Sequence, residues 1–165
     1  MQDVNIVVVF CSQNGATEKL ALAAAVGAVQ GRANIRLRRI REAGAGRTAE
    51  SERLDQDFVA PRAADLQWCD AVILGTPARL DAGCAEWSGF FDSLGSVGLP
   101  RKIGAAFAST PAEGGWLSLC TALLRLGLIT VPQSGAPETE ATRLLGRSVA
   151  ELARALKRAD AGTRV

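Results

Sequence analysis

The sequence predicts an α/β fold, an open five-stranded parallel sheet with helices on both faces, three layers in all. Three observations carry the prediction. Short apolar runs of strand length alternate with segments of helical periodicity from one end of the chain to the other. The best of these runs are continuously apolar, as strands covered on both faces are. The 165 residues, 48% of them hydrophobic, suffice for one core, and no internal repeat or second domain is visible. A single domain over residues 1–165 is therefore expected.

The elements follow in order. Val4 to Phe10 is the first buried strand and Cys11 to Ala16 a small, polar loop. Thr17 to Gln30 is an Ala-rich helix with Gly31 as its C-cap. Ile35, Leu37 and Ile40 mark a second strand near an edge. Arg36, Arg38, Arg39 and Arg41 read as its solvated face, which discourages edge-to-edge pairing. Residues 41–64 hold few large apolar groups and read as a long loop with at most a short helix. Ala71 to Leu74 is the third strand, broken at Gly75-Thr76-Pro77. Cys84, Trp87, Phe91 and Leu94 fall at helical spacing and predict an amphipathic helix. Ile103 to Ala108 is the fourth strand, Ser109 to Gly115 a loop, Trp116 to Leu126 a helix, and Leu128 to Val131 a short fifth strand ending at Pro132. Leu145, Val149, Leu152 and Leu156 mark a closing helix that starts near Glu140.

Composition excludes several chemistries. Lys and Arg number 19 against 17 Asp and Glu, a net charge of +2, which is no footprint for nucleic acid. The chain has no histidine, which removes a Ser-His-Asp triad, a histidine metal ligand and an imidazole base. Cys11, Cys69, Cys84 and Cys120 form no C-x-x-C pair, so neither a metal site nor a redox dithiol is expected, only reduced intracellular thiols. The apolar run Val7 to Phe10 is too short for a signal peptide, and no segment reaches the roughly 20 apolar residues that cross a bilayer. A soluble cytoplasmic protein without membrane partners is expected.

In such a sheet a ligand sits at the carboxyl ends of the strands, where strand order reverses. The loops at 11–17, 75–83 and 109–116 are the ones to weigh. Cys11-Ser12-Gln13-Asn14-Gly15-Ala16-Thr17 delivers two hydroxyls, an amide and a glycine into a helix start. Open backbone N–H groups and the positive end of the helix dipole suit a phosphate there. Gly15 lets the chain wrap closely, and Ser12 and Thr17 can each donate an O–H. The competing reading of the same residues is a well-capped helix start with no ligand.

Ser12-x-x-Gly15-x-Thr17 after a buried strand resembles the phosphate loop of flavodoxin-like FMN proteins. The resemblance is closest to the tryptophan-repressor-binding-protein type of NAD(P)H:quinone oxidoreductase. Asp70-Ala71-Val72-Ile73-Leu74-Gly75-Thr76-Pro77-Ala78-Arg79 is similar to that family's third-strand motif, and Phe107-Ala108-Ser109-Thr110 with Gly114-Gly115 to its fourth-strand loop. Residues 121–128 and 146–153 match as well. The resemblance implies a sheet in the order 2-1-3-4-5 and FMN as cofactor. Of the stretch Ser12, Gln13, Asn14, Gly15, Ala16 and Thr17, it places Ser12, Asn14, Ala16 and Thr17 on the phosphate. Pro77, Ala78, Arg79 and Leu80 would lie against the isoalloxazine ring. Ser109, Thr110, Pro111, Gly114 and Gly115 belong to the third cofactor loop, with Ser109, Thr110 and Gly115 on the ribityl chain or pyrimidine end. It further implies hydride transfer from a nicotinamide nucleotide, a quinone-like acceptor, and a homodimer or homotetramer. A catalytic side chain is not implied.

Four positions depart from the family pattern. Asn14 replaces an aromatic, Leu80-Asp81 replaces Phe-Gly, Glu113 replaces a histidine, and residues 133–137 replace a longer excursion. These changes bear on quinone turnover more than on FMN binding. The alternative function is an electron carrier, or an assembly domain of the same fold with weak or no FMN binding.

Rival motifs are less complete. Cys11 and Asn14 fit the start of a low-molecular-weight phosphatase loop, but Thr17 stands where its clamping arginine belongs, and no Asp-Pro pair supplies an acid. Cys11 instead reads as a small buried residue behind the loop. Gly44-Ala45-Gly46-Arg47-Thr48-Ala49 imitates a dinucleotide fingerprint, yet no amphipathic helix is expected after it. Trp68, Trp87 and Trp116 read as core or interface, and only for Trp116, just after the third loop, is a place near a flavin the alternative.

Overall fold

The computed structural model describes residues 3–41, 48–77, 85–99, 101–110, 113–133 and 138–162. The chain runs β1 (Val4–Phe10), α1 (Ala16–Gln30), β2 (Ala33–Arg39), α2 (Ala49–Asp57), α3 (Ala63–Trp68), β3 (Ala71–Thr76), α4 (Ala85–Val97), β4 (Ile103–Ala108), α5 (Glu113–Arg125), β5 (Ile129–Val131) and α6 (Thr139–Gly162). The five strands form one sheet in the order β2-β1-β3-β4-β5, every pair parallel, with Phe10 facing Arg39 on one side and Gly75 on the other.

Alternation along the buried strands sorts the core into two clusters, because successive side chains of a strand point to opposite faces. Val4, Ile6, Val8 and Phe10 join Ile73 and Phe107 under α1 and α6. Val7, Val9 and Cys11 join Val72, Leu74 and Ala106 under Leu66 of α3, Trp87 and Phe90 of α4 and Leu119 and Leu123 of α5. The helices α1 and α6 lie unusually close. A Cβ on Gly27 would fall on the Arg143 carbonyl oxygen, and one on Gly146 on the Ala24 carbonyl oxygen, so both backbones touch where only hydrogen stands between them. Among the described residues no helix is long and apolar enough to cross a membrane.

Several expectations are corrected. Residues 41–64 are not a long loop: α2 occupies Ala49–Asp57 and α3 begins at Ala63. Thr48 and Ser51 form a reciprocal cap, with Ser51 N–H donating to Thr48 Oγ1 at 3.1 Å and Thr48 N–H to Ser51 Oγ at 2.9 Å. One fully buried side chain, Leu54, docks α2, and Phe58 meets Phe10 edge-on at 5.0 Å. A helix therefore does follow the 44–49 segment, whose residues 44–47 lie outside those described. The β2 arginines are not simply solvated. Arg36 and Arg38 bind Asp65 at 3.0 and 2.8 Å, Arg36 stacks over Trp68, and Arg39 is buried. The apolar stripe of α4 includes Trp87, Phe90 and Leu94 as its buried members, with Phe91 half-covered. In α6, Ala153 is buried in place of Leu152, which is 45% exposed. Helix α5 starts at Glu113, so Gly114 and Gly115 are helical rather than loop residues.

Candidate functional site

The carboxyl ends of β1, β3 and β4 meet at one edge of the sheet, tied by Cys11 N–H to the Gly75 carbonyl and Ser109 N–H to the Thr76 carbonyl, each at 3.0 Å. From this edge the chain enters α1 through Gly15, whose φ of 82° is left-handed, the region glycine enters without cost. The turn is held by its own side chains: Gly15 N–H donates to Ser12 Oγ and Ala16 N–H to Asn14 Oδ1, both at 3.1 Å. The next two amides of the first turn, at Thr17 and Glu18, have no partner among the described residues.

Thr17 and Ser109 bring the first and third loops together. Thr17 Oγ1 donates to Ser109 Oγ at 3.1 Å across 92 residues of sequence. Ser12 and Thr17 are buried, as is Thr76, whose Oγ1 has no hydrogen-bond partner among the described residues. A buried hydroxyl without a partner is uncommon in a native fold. Three hydroxyls (Ser12, Thr17 and Ser109) thus lie at a helix start with two open amides, while Thr76 shares the strand parity of Val72 and Leu74 and faces the other side of the sheet.

The outer rim carries charge. Arg53 of α2 holds Glu18 Oε2 at 2.7 Å, Glu50 Oε1 at 2.6 Å and Asp57 Oδ2 at 2.6 Å. The hydrogen bond from Arg53 keeps the Glu50 carboxyl below the usual carboxylate range, and the same partners hold the guanidinium above its own. Glu50 Oε1 lies 3.1 Å from where a Gly15 Cβ would stand, so a carboxylate that shares Arg53 with Glu18 and Asp57 borders the loop. Beneath the loop, buried Arg39 donates through Nη2 to the Ser12 carbonyl at 3.0 Å and through Nη1 to Asp55.

Among the residues singled out from sequence, Ser12, Gly15, Thr17 and Ser109 converge. Gln13, Asn14 and Ala16 form the exposed lip, and Thr110 is exposed at the end of β4. Pro77 is half-buried after β3. Gly115 is buried and Gly114 exposed at the start of α5. Ala78, Arg79, Leu80 and Pro111 lie outside the described residues. Trp116 donates its indole N–H to the Ala106 carbonyl at 3.0 Å and packs with the second core cluster, which holds it against β4. Cys11 is buried behind the loop as expected.

Sequence reading misses Arg53 and Arg39. Arg53 sits in a helix that composition concealed. Arg39 left a signal: it shares the strand parity of Ile35 and Leu37, which pack on the first core cluster, so it stands where an apolar residue belongs.

The residues present fit the phosphate end of a mononucleotide. The donors are hydroxyls and main-chain amides at a helix start; Ser12 Oγ and Asn14 Oδ1 take the Gly15 and Ala16 amides, and those of Thr17 and Glu18 are the kind of group such a ligand satisfies.

No protein-family model matches the chain. Among curated proteins, the NAD(P)H dehydrogenase (quinone) of Methylocella silvestris is 34% identical over 137 residues, covering 76% of this chain and 69% of that protein. The NAD(P)H dehydrogenase (quinone) of Azorhizobium caulinodans is 30% identical over 154 residues, covering 86% of this chain and 77% of its own. Among solved structures, the flavodoxin, WrbA-like protein from Agrobacterium tumefaciens superposes with a TM-score of 0.63 at 23% identity, over 93% of this chain and 99% of that one. The last likeness is one of fold.

Proposed function

The chain belongs to the flavodoxin-like NAD(P)H dehydrogenase (quinone) family, and on that premise we propose that it is an FMN-dependent oxidoreductase acting between a nicotinamide nucleotide and a quinone-like small acceptor. Ser12, Thr17 and the open amides of the first turn of α1 would hold the phosphate, with Gln13, Asn14, Gly15 and Ala16 wrapping it. Ser109, Thr110 and the α5 start at Gly114 and Gly115 would line the ribityl side, with Pro111 in the same loop. Pro77 to Leu80 would border the ring. Bound FMN supplies the capacity to accept hydride and to release two electrons, which asks no acid or base of a histidine-free protein. The chain's own work is to bind the phosphate, orient the cofactor and exclude water. A homodimer or homotetramer is part of the reading.

The observation that carries it is the Thr17–Ser109 hydrogen bond, which joins two of the three loops at a helix start with open amides. The protein is expected to retain flavin absorbance through gel filtration and to oxidise NAD(P)H with benzoquinone only when FMN is bound. Ser109→Ala, which releases Thr17, is expected to weaken FMN by roughly 10-fold. Protein that neither quenches FMN fluorescence nor retains it would leave the assembly-domain alternative standing.

A further inference from the structure

Arg39 is a guanidinium inside a strand end, 2% exposed, the one arginine among the described residues that is buried. A cation is not buried in this way without partners that need it. Its partners are Asp55 of α2 and the Ser12 carbonyl, the latter accepting from Nη2 at 3.0 Å. Its Nε finds no acceptor among the described residues. Arg41, a solvent-exposed guanidinium, lies 3.6 Å from the same Asp55 carboxylate. Glu50 and Glu18, the carboxylates on the loop's outer side, are held by Arg53.

The bond to Ser12 has a directional consequence. In a trans peptide the carbonyl and the following N–H point opposite ways. Fixing the Ser12 carbonyl on Arg39 therefore fixes the Gln13 N–H to point away from the guanidinium, and it sets the peptide from which Ser12 Oγ reaches Gly15 N–H at 3.1 Å. A lysine could supply the charge but not two directed bonds from one planar head.

We propose that Arg39 is a positioning residue for the phosphate monoester: with its charge paired by Asp55, it locks the Ser12–Gln13 peptide in the orientation the cradle needs. The inference rests on the flavin reading of the site and goes beyond it, since it assigns a role to a strand residue outside all three loops. It also predicts discrimination. A group that serves the phosphate matters for FMN and not for riboflavin, which lacks the phosphate.

The test measures the affinities of FMN and riboflavin by flavin fluorescence quenching for the wild-type protein, Arg39→Gln and Arg39→Lys, with urea unfolding of each. Arg39→Gln is expected to weaken FMN roughly 10- to 100-fold while leaving riboflavin within about twofold, collapsing the preference for the phosphorylated flavin. Arg39→Lys is expected to fall between the two, and it decides the matter should the glutamine variant not fold. Equal losses for both flavins would reduce Arg39 to a structural prop and overturn the proposal, as would an unchanged preference. A wild-type protein that binds neither flavin would remove the flavin reading itself, an outcome distinct from either variant result, and the proposal would go with it.

Discussion

Asp65 is a carboxylate with a side chain only 3% exposed, gripped by Arg38 at 2.8 Å and Arg36 at 3.0 Å and accepting the Arg62 N–H at 3.0 Å. Burial by itself pushes its carboxyl up, and the bonds from Arg38, the Arg62 amide and Arg36 together bring it below the ordinary 3.8. A carboxyl with a depressed folded value contributes its stability above the unfolded value and loses it as pH falls through the folded one. Asp65→Asn is therefore expected to cost about 3 kcal/mol near neutral pH. The gap to wild type should narrow below pH 3.8, as followed by urea midpoints across pH. The pairing partner was invisible in sequence: Arg36 and Arg38 alternate with Ile35 and Leu37 as solvated residues would, and nothing local says that α3 will set an acid against them. The cradle residues were easier to see, because Ser12, Gly15 and Thr17 declare a helix start by their own chemistry.

At the scale of elements, the α1–α6 crossing is the tightest contact described. Because the Gly146 position faces the Ala24 backbone itself, no side-chain movement can admit a methyl. Gly146→Ala is expected to destabilise by about 3 kcal/mol in chemical denaturation. Gly95→Ala in α4 meets only Leu126 Cδ2 at 3.8 Å and should stabilise by roughly 0.5–1 kcal/mol through helix propensity. Equal effects at the two sites would show that the crossing is looser than described. The strands β1, β3 and β4 were legible because burial on both faces leaves uninterrupted apolar runs. Helix α2 was not, because it docks through Leu54 and a string of ion pairs on Arg53, so its apolar periodicity is a single residue deep. The Thr48–Ser51 cap was the available sign, and a Ser at the third position is a weaker one than Glu or Gln.

For the molecule as a whole, the parallel sheet and its order leave the carboxyl edge between β1 and β3 as the natural place for a ligand. A ligand there bridges β1, β3 and β4 and must stabilise the native state by mass action. FMN at 100 times its dissociation constant is expected to add about 2.7 kcal/mol, a rise of about 5–10 °C in the melting temperature, against no change with riboflavin at a concentration far below its own dissociation constant. An unmoved melting curve under saturating FMN would contradict binding at that edge. The division of the interior by the sheet has a consequence for anyone who would alter the protein. Leu20 and Val149 lie on one side of the backbone layer, Leu123 and Trp87 on the other, and among the described residues no side chain is shared between the two clusters. Each half of the interior can thus be redesigned as a separate problem, its substitutions combining additively with those made across the layer.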